Sequence, residues 1–331
     1  MNRTLVIRAG AVGDFILTLP VFEMLRRRYP DGGIDVMGYP SIVALAVAGG
    51  YASRALSIDR GDLAPLFVEG SVASNSIRTL FEPYDLVVSF LPDTDGVFRR
   101  NILTAGAREV WSHPPKPPDG RRRHITCHLY DALAPFSPVP VCPPPKLSVS
   151  DVLRQRAEMI YPILQDRKIV VIHPGSGGVR KLWPASHYAT LCDRLSDKGY
   201  TVLITQGPAD EAVVAKVLAQ VETRPVLVAD LPLADLAGVL TCCAAMIGAD
   251  TGITHLAAAS GIPTIALFGP TDPAVWGPRG QQVQVLWGTE RITTDVAATR
   301  WTDFGGARPM EAISVEAVVD AMSVKTCYGT F

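Results

Sequence analysis

Short apolar runs of β type alternate along the chain with segments whose apolar residues recur at helical spacing. TLVIRAG (residues 4–10) precedes a helical pattern from about Asp14 to Tyr29, which Pro30-Asp31-Gly32-Gly33 closes. IDVM (34–37) then precedes SIVALAVAG, and DLVVSF (85–90) precedes a segment containing Arg99 and Arg100. Each run is apolar on both faces, as in parallel strands covered by helices on either side.

The alternation breaks at residues 113–146. There the basic stretch GRRRH (120–124) is followed by SPVPVCPPPK, a proline density that no helix or central strand accommodates. This segment reads as an extended connection between two domains. Beyond it the pattern restarts with KIVVIHPG (168–175), a helix over 186–199, and the strand YTVLITQG (200–207). A helix from ADEAVV, the strand PVLVA, the helix LADLAGVLTCC, the strand AAMIGAD (244–250), a helix from near Thr251 and the strand TIALFG (264–269) follow. Two doubly wound α/β domains in tandem are expected, over 1–150 and 151–310. A last helical pattern within 311–331 could dock on either, with packing back on the N-terminal domain as the expectation.

Composition narrows the function. At 331 residues and 48% hydrophobic, the chain can bury sizeable cores, and its net charge of −1 argues against nucleic acid as the main partner. The first 150 residues carry a small excess of cations, and fourteen of those sixteen cations are arginine, the side chain suited to gripping phosphate or carboxylate. Six cysteines show no CxxC spacing and no ligand set for a metal, so they read as reduced thiols of a cytoplasmic protein. No apolar stretch approaches the 18 residues or so of a spanning helix.

Four loops carry candidate chemistry, because ligands of doubly wound domains bind beyond the carboxyl ends of the strands. In RAGAVGDFILTLP (8–20), Asp14 lies at such an end, after Gly10 and Gly13. A carboxylate in a first helical turn also complements the helix dipole with no further role. In HPGSGGVRKLWP (173–184) a glycine-rich loop with Arg180 and Lys181 suits a diphosphate, although GxxxxGK[ST] and GxSxG are both absent. GADTGITHLAAASG (248–261) places Asp250, Thr251 and Gly252 at a helix start favourable to anions, with His255 one turn on. In QGPADE (206–211), Asp210 or Glu211 could accept hydrogen bonds from a ribose or simply cap the next helix. Asp93-Thr94-Asp95 has the DxD form of some metal–diphosphate sites but reads as a chance pattern. The arginines at 99, 100, 121 and 122 read either as solvated surface or as contacts to an anionic acceptor.

Taken in order, GAVGDFILTLPVFEMLRRRYP, HPGSGGVRKLWPASHYATL, ITQGPADE, GADTGITHLAAASGIPTIALFGPTDP and RPMEAISVEAV resemble the ADP-heptose:lipopolysaccharide heptosyltransferases, glycosyltransferase family 9. The resemblance implies a GT-B architecture, two Rossmann-like parallel-sheet domains facing across a cleft. It also implies metal-independent, inverting transfer from a nucleotide sugar without a cofactor. By position, Asp14 matches the catalytic aspartate and Lys181 the donor-phosphate lysine. Gly13, Ser176, Gly177, Arg180, Asp250, Thr251, Gly252 and His255 fall in donor-binding segments. Ala209 stands where the family can carry glutamate, which shifts the ribose role to Asp210 or Glu211. The expected partners are ADP-heptose and an anionic glycolipid, met by Arg99, Arg100, Arg121 and Arg122, with peripheral contact to the inner face of the cytoplasmic membrane. A UDP- or GDP-sugar transferase or epimerase, and a nucleotide-sugar-binding protein without turnover, remain the competing readings.

Overall fold

A computed structural model of the chain describes residues 3–118, 120–134, 142–166, 168–293 and 306–323. Its internal contacts divide it into two compact units, Met1–Ser148 and Val149–Phe331.

In the first unit β1 (Arg3–Ile7), β2 (Gly33–Gly38), β3 (Arg54–Ser57), β4 (Leu86–Ser89) and β5 (Glu109–Ser112) form one sheet in the order β3-β2-β1-β4-β5, parallel throughout. The helices are α1 (Val12–Ile16), α2 (Leu19–Arg28), α3 (Pro40–Ala48), α4 (Asn75–Phe81), α5 (Val97–Thr104) and α6 (Ile125–Tyr130). Leu5, Ile7 and Val87 of the central strands pack against Ile77, Phe81 and Ile102, so apolar strands are buried as the all-apolar runs require. Strand order reverses between β1 and β4, which makes their carboxyl ends the switch point where such sheets bind ligands.

The helix expected from Asp14 to Tyr29 is two helices. Pro20 has no N–H to offer a carbonyl one turn back, and the chain tightens there: Thr18 N–H bonds the Phe15 carbonyl, and Thr18 Oγ1 donates to the Asp14 carbonyl at 2.8 Å. The connection expected over 113–146 is only partly one. Ile125, Leu129 and Leu133 are fully buried, so α6 and the turn after it belong to the core of the first unit despite the neighbouring prolines and arginines. Residues 135–141 lie outside the described residues.

In the second unit the strands are β6 (Ile169–His173), β7 (Thr201–Gln206), β8 (Val226–Ala229), β9 (Ala245–Ala249), β10 (Thr264–Phe268), β11 (Val283–Trp287) and β12 (Glu290–Thr293). Their order is β12-β11-β10-β9-β6-β7-β8, parallel except for the antiparallel β11–β12 edge. The helices are α7 (Asp151–Ile160), α8 (Ala185–Asp197), α9 (Glu211–Leu218), α10 (Leu233–Thr241), α11 (Gly252–Ala259), α12 (Pro273–Trp276) and α13 (Val315–Ser323). The switch point here lies between β6 and β9.

Helix α13 corrects the expectation that it packs back on the N-terminal domain. Ile313, Val315, Val318 and Ala321 sit in one apolar cluster with Leu191, Leu195 and Leu286 of the second unit. Trp183 Nε1 also donates to the Ile313 carbonyl at 2.9 Å, and Arg194 pairs with Glu316. Apolar burial on one face of a helix decides where it docks.

Candidate active site

Asp14 sits on α1, immediately after β1 at the switch point of the first sheet. Its carboxylate is held on both sides. Oδ1 accepts from Arg8 Nη2 at 2.9 Å, and Oδ2 accepts from the Ala11 N–H at 3.1 Å. The second bond is the backward half of a capping box, so Asp14 does serve the helix start as a dipole-complementing acid would. Yet the side chain stays about a quarter exposed (24%), while that of Arg8 is almost wholly enclosed (2%).

Gly10 makes this possible. It adopts φ +152°, and a Cβ there would lie 2.9 Å from Asp14 Cβ. Gly13 lies within α1, where its carbonyl accepts from Leu17. Arg99 and Arg100 are on the first turn of α5, beyond the carboxyl end of β4, and both are tied to their surroundings. Arg99 Nε donates to the Val110 carbonyl at 3.1 Å, and Arg100 Nη1 to the Asp95 carbonyl at 2.8 Å. Arg121 and Arg122 are exposed on the loop after β5. Asp93 is spent on structure, its carboxylate accepting from the N–H groups of Phe98 and Arg99 and from the Ser112 hydroxyl. Among the described residues no cluster of histidine, cysteine and carboxylate side chains could hold a metal ion.

In the second unit the loops after β6 and β9 meet at the switch point. Lys181 Nζ contacts Asp250 Oδ2 at 2.6 Å, and Ser176 Oγ donates to the Asp250 carbonyl at 3.1 Å. The Lys181 side chain retains 36% of its exposure and that of Asp250 only 9%, so the cation is the accessible member. Thr251 precedes Gly252, the first residue of α11, whose first-turn amides have no partner within the helix. His255 is buried one turn on, which matches the packed-histidine alternative more closely than an exposed ligand.

Asp210 lines the cavity beside the loop after β6 and also supports the loop itself. A Cβ on Gly175 would lie 1.9 Å from Asp210 Oδ1, so the glycine-rich loop after β6 rests directly on this carboxylate. Asp210 Oδ2 accepts from the Gly207 N–H at 2.9 Å and lies 3.8 Å from His173 Nε2. His173 in turn shares a 3.0 Å hydrogen bond with Thr205 Oγ1, and burial pushes the pKa of its imidazole down while the charge of Asp210 opposes the shift. Asp210 is thus largely buried and braces the loop from below. Glu211 is exposed on the first turn of α9.

A cavity of about 560 Å³ opens beside this loop, within the range of small-ligand sites. Ser176, Gly177 and Gly178 form one wall, Leu182 and Trp183 contribute apolar surface, and Val213 and Lys216 of α9 face it with Glu311. Arg180 is exposed on the turn between loop and α8. Lys216 and Glu311 were not among the sequence candidates. Ala212, Val213 and Lys216 share a helix face by their spacing, which was a usable signal once α9 was placed; Glu311 needed the fold.

The family model described as "Glycosyltransferase family 9 (heptosyltransferase)" matches residues 129–302, more than half of the chain. Lipopolysaccharide heptosyltransferase 3 of Escherichia coli is 25% identical over 302 residues, covering 83% of this chain and 86% of the relative. Lipopolysaccharide heptosyltransferase 1 of Pseudomonas aeruginosa is 28% identical over 311 residues, covering 87% and 84%. The solved structure of E. coli ADP-heptose lps heptosyltransferase II superposes with a TM-score of 0.76 at 22% identity, covering 98% of each chain. That likeness extends to the fold of both units, the GT-B architecture. The chain belongs to glycosyltransferase family 9, the heptosyltransferases.

Proposed function

We propose that this chain transfers a heptose-type sugar from ADP-heptose to the lipopolysaccharide core or a related anionic glycan. The curated relatives bear the name lipopolysaccharide heptosyltransferase, and the solved relative is named for ADP-heptose. The observation that carries the reading is the meeting of Lys181, Asp250 and Ser176 at the switch point of the second sheet, beside a cavity of about 560 Å³.

In this mechanism Asp14 takes the proton of the acceptor hydroxyl, whose oxygen forms the new bond to the anomeric carbon. The bond from that carbon to the diphosphate oxygen breaks, and ADP leaves with the electron pair. Lys181, Arg180 and the start of α11 offset the charge developing on the leaving group. Ser176, Gly177 and the cavity hold the rest of the nucleotide, with Asp250, Thr251 and Gly252 completing the donor side and buried His255 packed behind them. Asp210, Lys216 and Glu311 all line this cavity and are the candidates for contact with the ribose, with Asp210 also accepting from the Gly207 N–H. The exposed arginines 121 and 122, with Arg99 and Arg100, receive the anionic acceptor. Peripheral contact with the inner face of the cytoplasmic membrane belongs to the same reading, and no helix among the described residues is long and apolar enough to cross a membrane.

A thermal-shift screen of ADP, UDP and GDP, followed by mass-spectrometric detection of product from ADP-heptose and a core acceptor, tests the reading. ADP is expected to raise Tm most, because a ligand stabilises the state it binds by RT ln(1 + [L]/Kd). A larger shift with UDP or GDP would replace the donor assignment. ADP binding without product would favour a protein that binds nucleotide sugars and does not turn them over.

A further inference from the structure

Arg8 has a role that the chemistry above does not use. It directly follows β1 in an otherwise apolar run, and its side chain is 2% exposed. Burying a guanidinium costs several kcal/mol of desolvation, and a well-packed apolar side chain at such a place is commonly as stable or more so. The fold nonetheless encloses this one against the partly exposed carboxylate of Asp14.

The contact has two points. Nη2 reaches Asp14 Oδ1 at 2.9 Å, and Nε approaches the carbonyl oxygen of the same residue at 3.4 Å. The base of Arg8 is fixed as well. Its N–H bonds the Met37 carbonyl at 2.9 Å, and a Cβ on Gly38 would lie 2.4 Å from its own carbonyl oxygen. The Ala11 N–H donates to the other carboxylate oxygen of Asp14, and Thr18 Oγ1 donates to the same carbonyl oxygen that Arg8 Nε approaches. Both carboxylate oxygens are therefore held, one by Arg8 and one by the Ala11 N–H.

We propose that Arg8 is a positioning residue for transfer: its buried fork fixes the Asp14 carboxylate in the orientation that meets the acceptor hydroxyl. The inference rests on the reading of Asp14 as the base. A guanidinium suits the task because its rigid fork grips two points, whereas an ammonium is a single flexible point charge.

Arg8→Gln and Arg8→Lys test this by kcat, acceptor KM and ADP affinity. Arg8→Gln should lose about 10²-fold in kcat, the scale of a misplaced catalytic group. Acceptor KM and ADP Kd should hold within about twofold, because an interaction felt only in the transition state leaves ground-state binding alone. Arg8→Lys should recover part of the kcat loss. If Arg8→Gln fails to melt cooperatively, Arg8→Lys alone decides, with a reduced kcat at unchanged KM and Kd supporting the role. Wild-type kcat in either variant overturns it, as does a kcat loss matched by a loss of ADP affinity. Arg8 variants with wild-type kcat beside an inactive Asp14→Asn would sink this inference and leave the base assignment standing. An active Asp14→Asn would sink the base assignment itself.

Discussion

At the scale of single residues, the sequence pointed to Asp14 because a carboxylate follows an apolar strand with only glycines and small residues between. What it could not reveal is how that carboxylate is held. Arg8 sits six positions earlier, directly after β1 and next to apolar Ile7 and Ala9, and the turn at Gly10 brings the two together. Gly10 therefore carries a specific expectation. In Gly10→Ala the new Cβ would meet Asp14 Cβ at 2.9 Å from a backbone angle of +152° that L side chains rarely adopt. Turnover should fall by roughly 10²-fold through displacement of the acid, while ADP affinity, assigned to the second unit in the proposed function, should stay as in wild type. Steady-state kinetics beside calorimetry checks this, and full turnover in Gly10→Ala would show that the close approach is dispensable. Asp210 is a second case. Its position after a strand suggested a ribose contact, and nothing in the sequence could show that Gly175 also presses directly on its carboxylate.

At the scale of elements, the legible parts were those with strong periodicity. Strands β1, β6, β7, β9 and β10, with helices α8 to α11, follow the apolar pattern because burial on both faces demands it. The short edge strands β3, β5 and β12, at four residues each, bring too little apolar sequence to signal themselves, and β11 (VQVLW), where a glutamine interrupts the apolar run, also went unread. Helix α6 was hidden among prolines and arginines whose polarity outweighed Ile125 and Leu129 in a linear reading. The loop after β6 was read for its glycines and its lysine, and its meeting with the β9 loop needed the sheet order. Lys181→Ala tests that junction. Removing a charge-assisted contact to the diphosphate costs about 1.5–3 kcal/mol, so ADP affinity by calorimetry should drop roughly 10- to 150-fold. An unchanged Kd would take Lys181 out of the donor site.

At the scale of the whole molecule, net charge is close to zero and the arginine excess lies in the first half of the chain, which suits an anionic acceptor better than nucleic acid. Stability should depend on pH through the buried histidines. His113 and His128 pack ring to ring with centroids 4.5 Å apart, and burial pushes both below the ordinary imidazole range. Asp131 opposes the shift at each, while Arg121 and Arg123 add to it at His128. His173 is lowered by burial in the same way. With folded values depressed, the unfolded chain takes up protons first, so stability is full above about pH 6.5 and declines as pH falls towards the folded values. Tm should fall between pH 7.5 and 5.5, by roughly 2–4 °C for each kcal/mol lost, and His113→Phe should flatten the decline. A Tm that holds or rises over that interval would contradict the assignment.

The central claim is that Asp14 removes the acceptor proton while the second unit holds the nucleotide independently of it. The most direct measurement is the single-turnover rate of Asp14→Asn beside its ADP affinity, on protein whose cooperative melting shows it folded without the counter-charge of Arg8. The rate should fall by about 10²–10⁴ with ADP Kd unchanged. Wild-type turnover in Asp14→Asn would contradict the account.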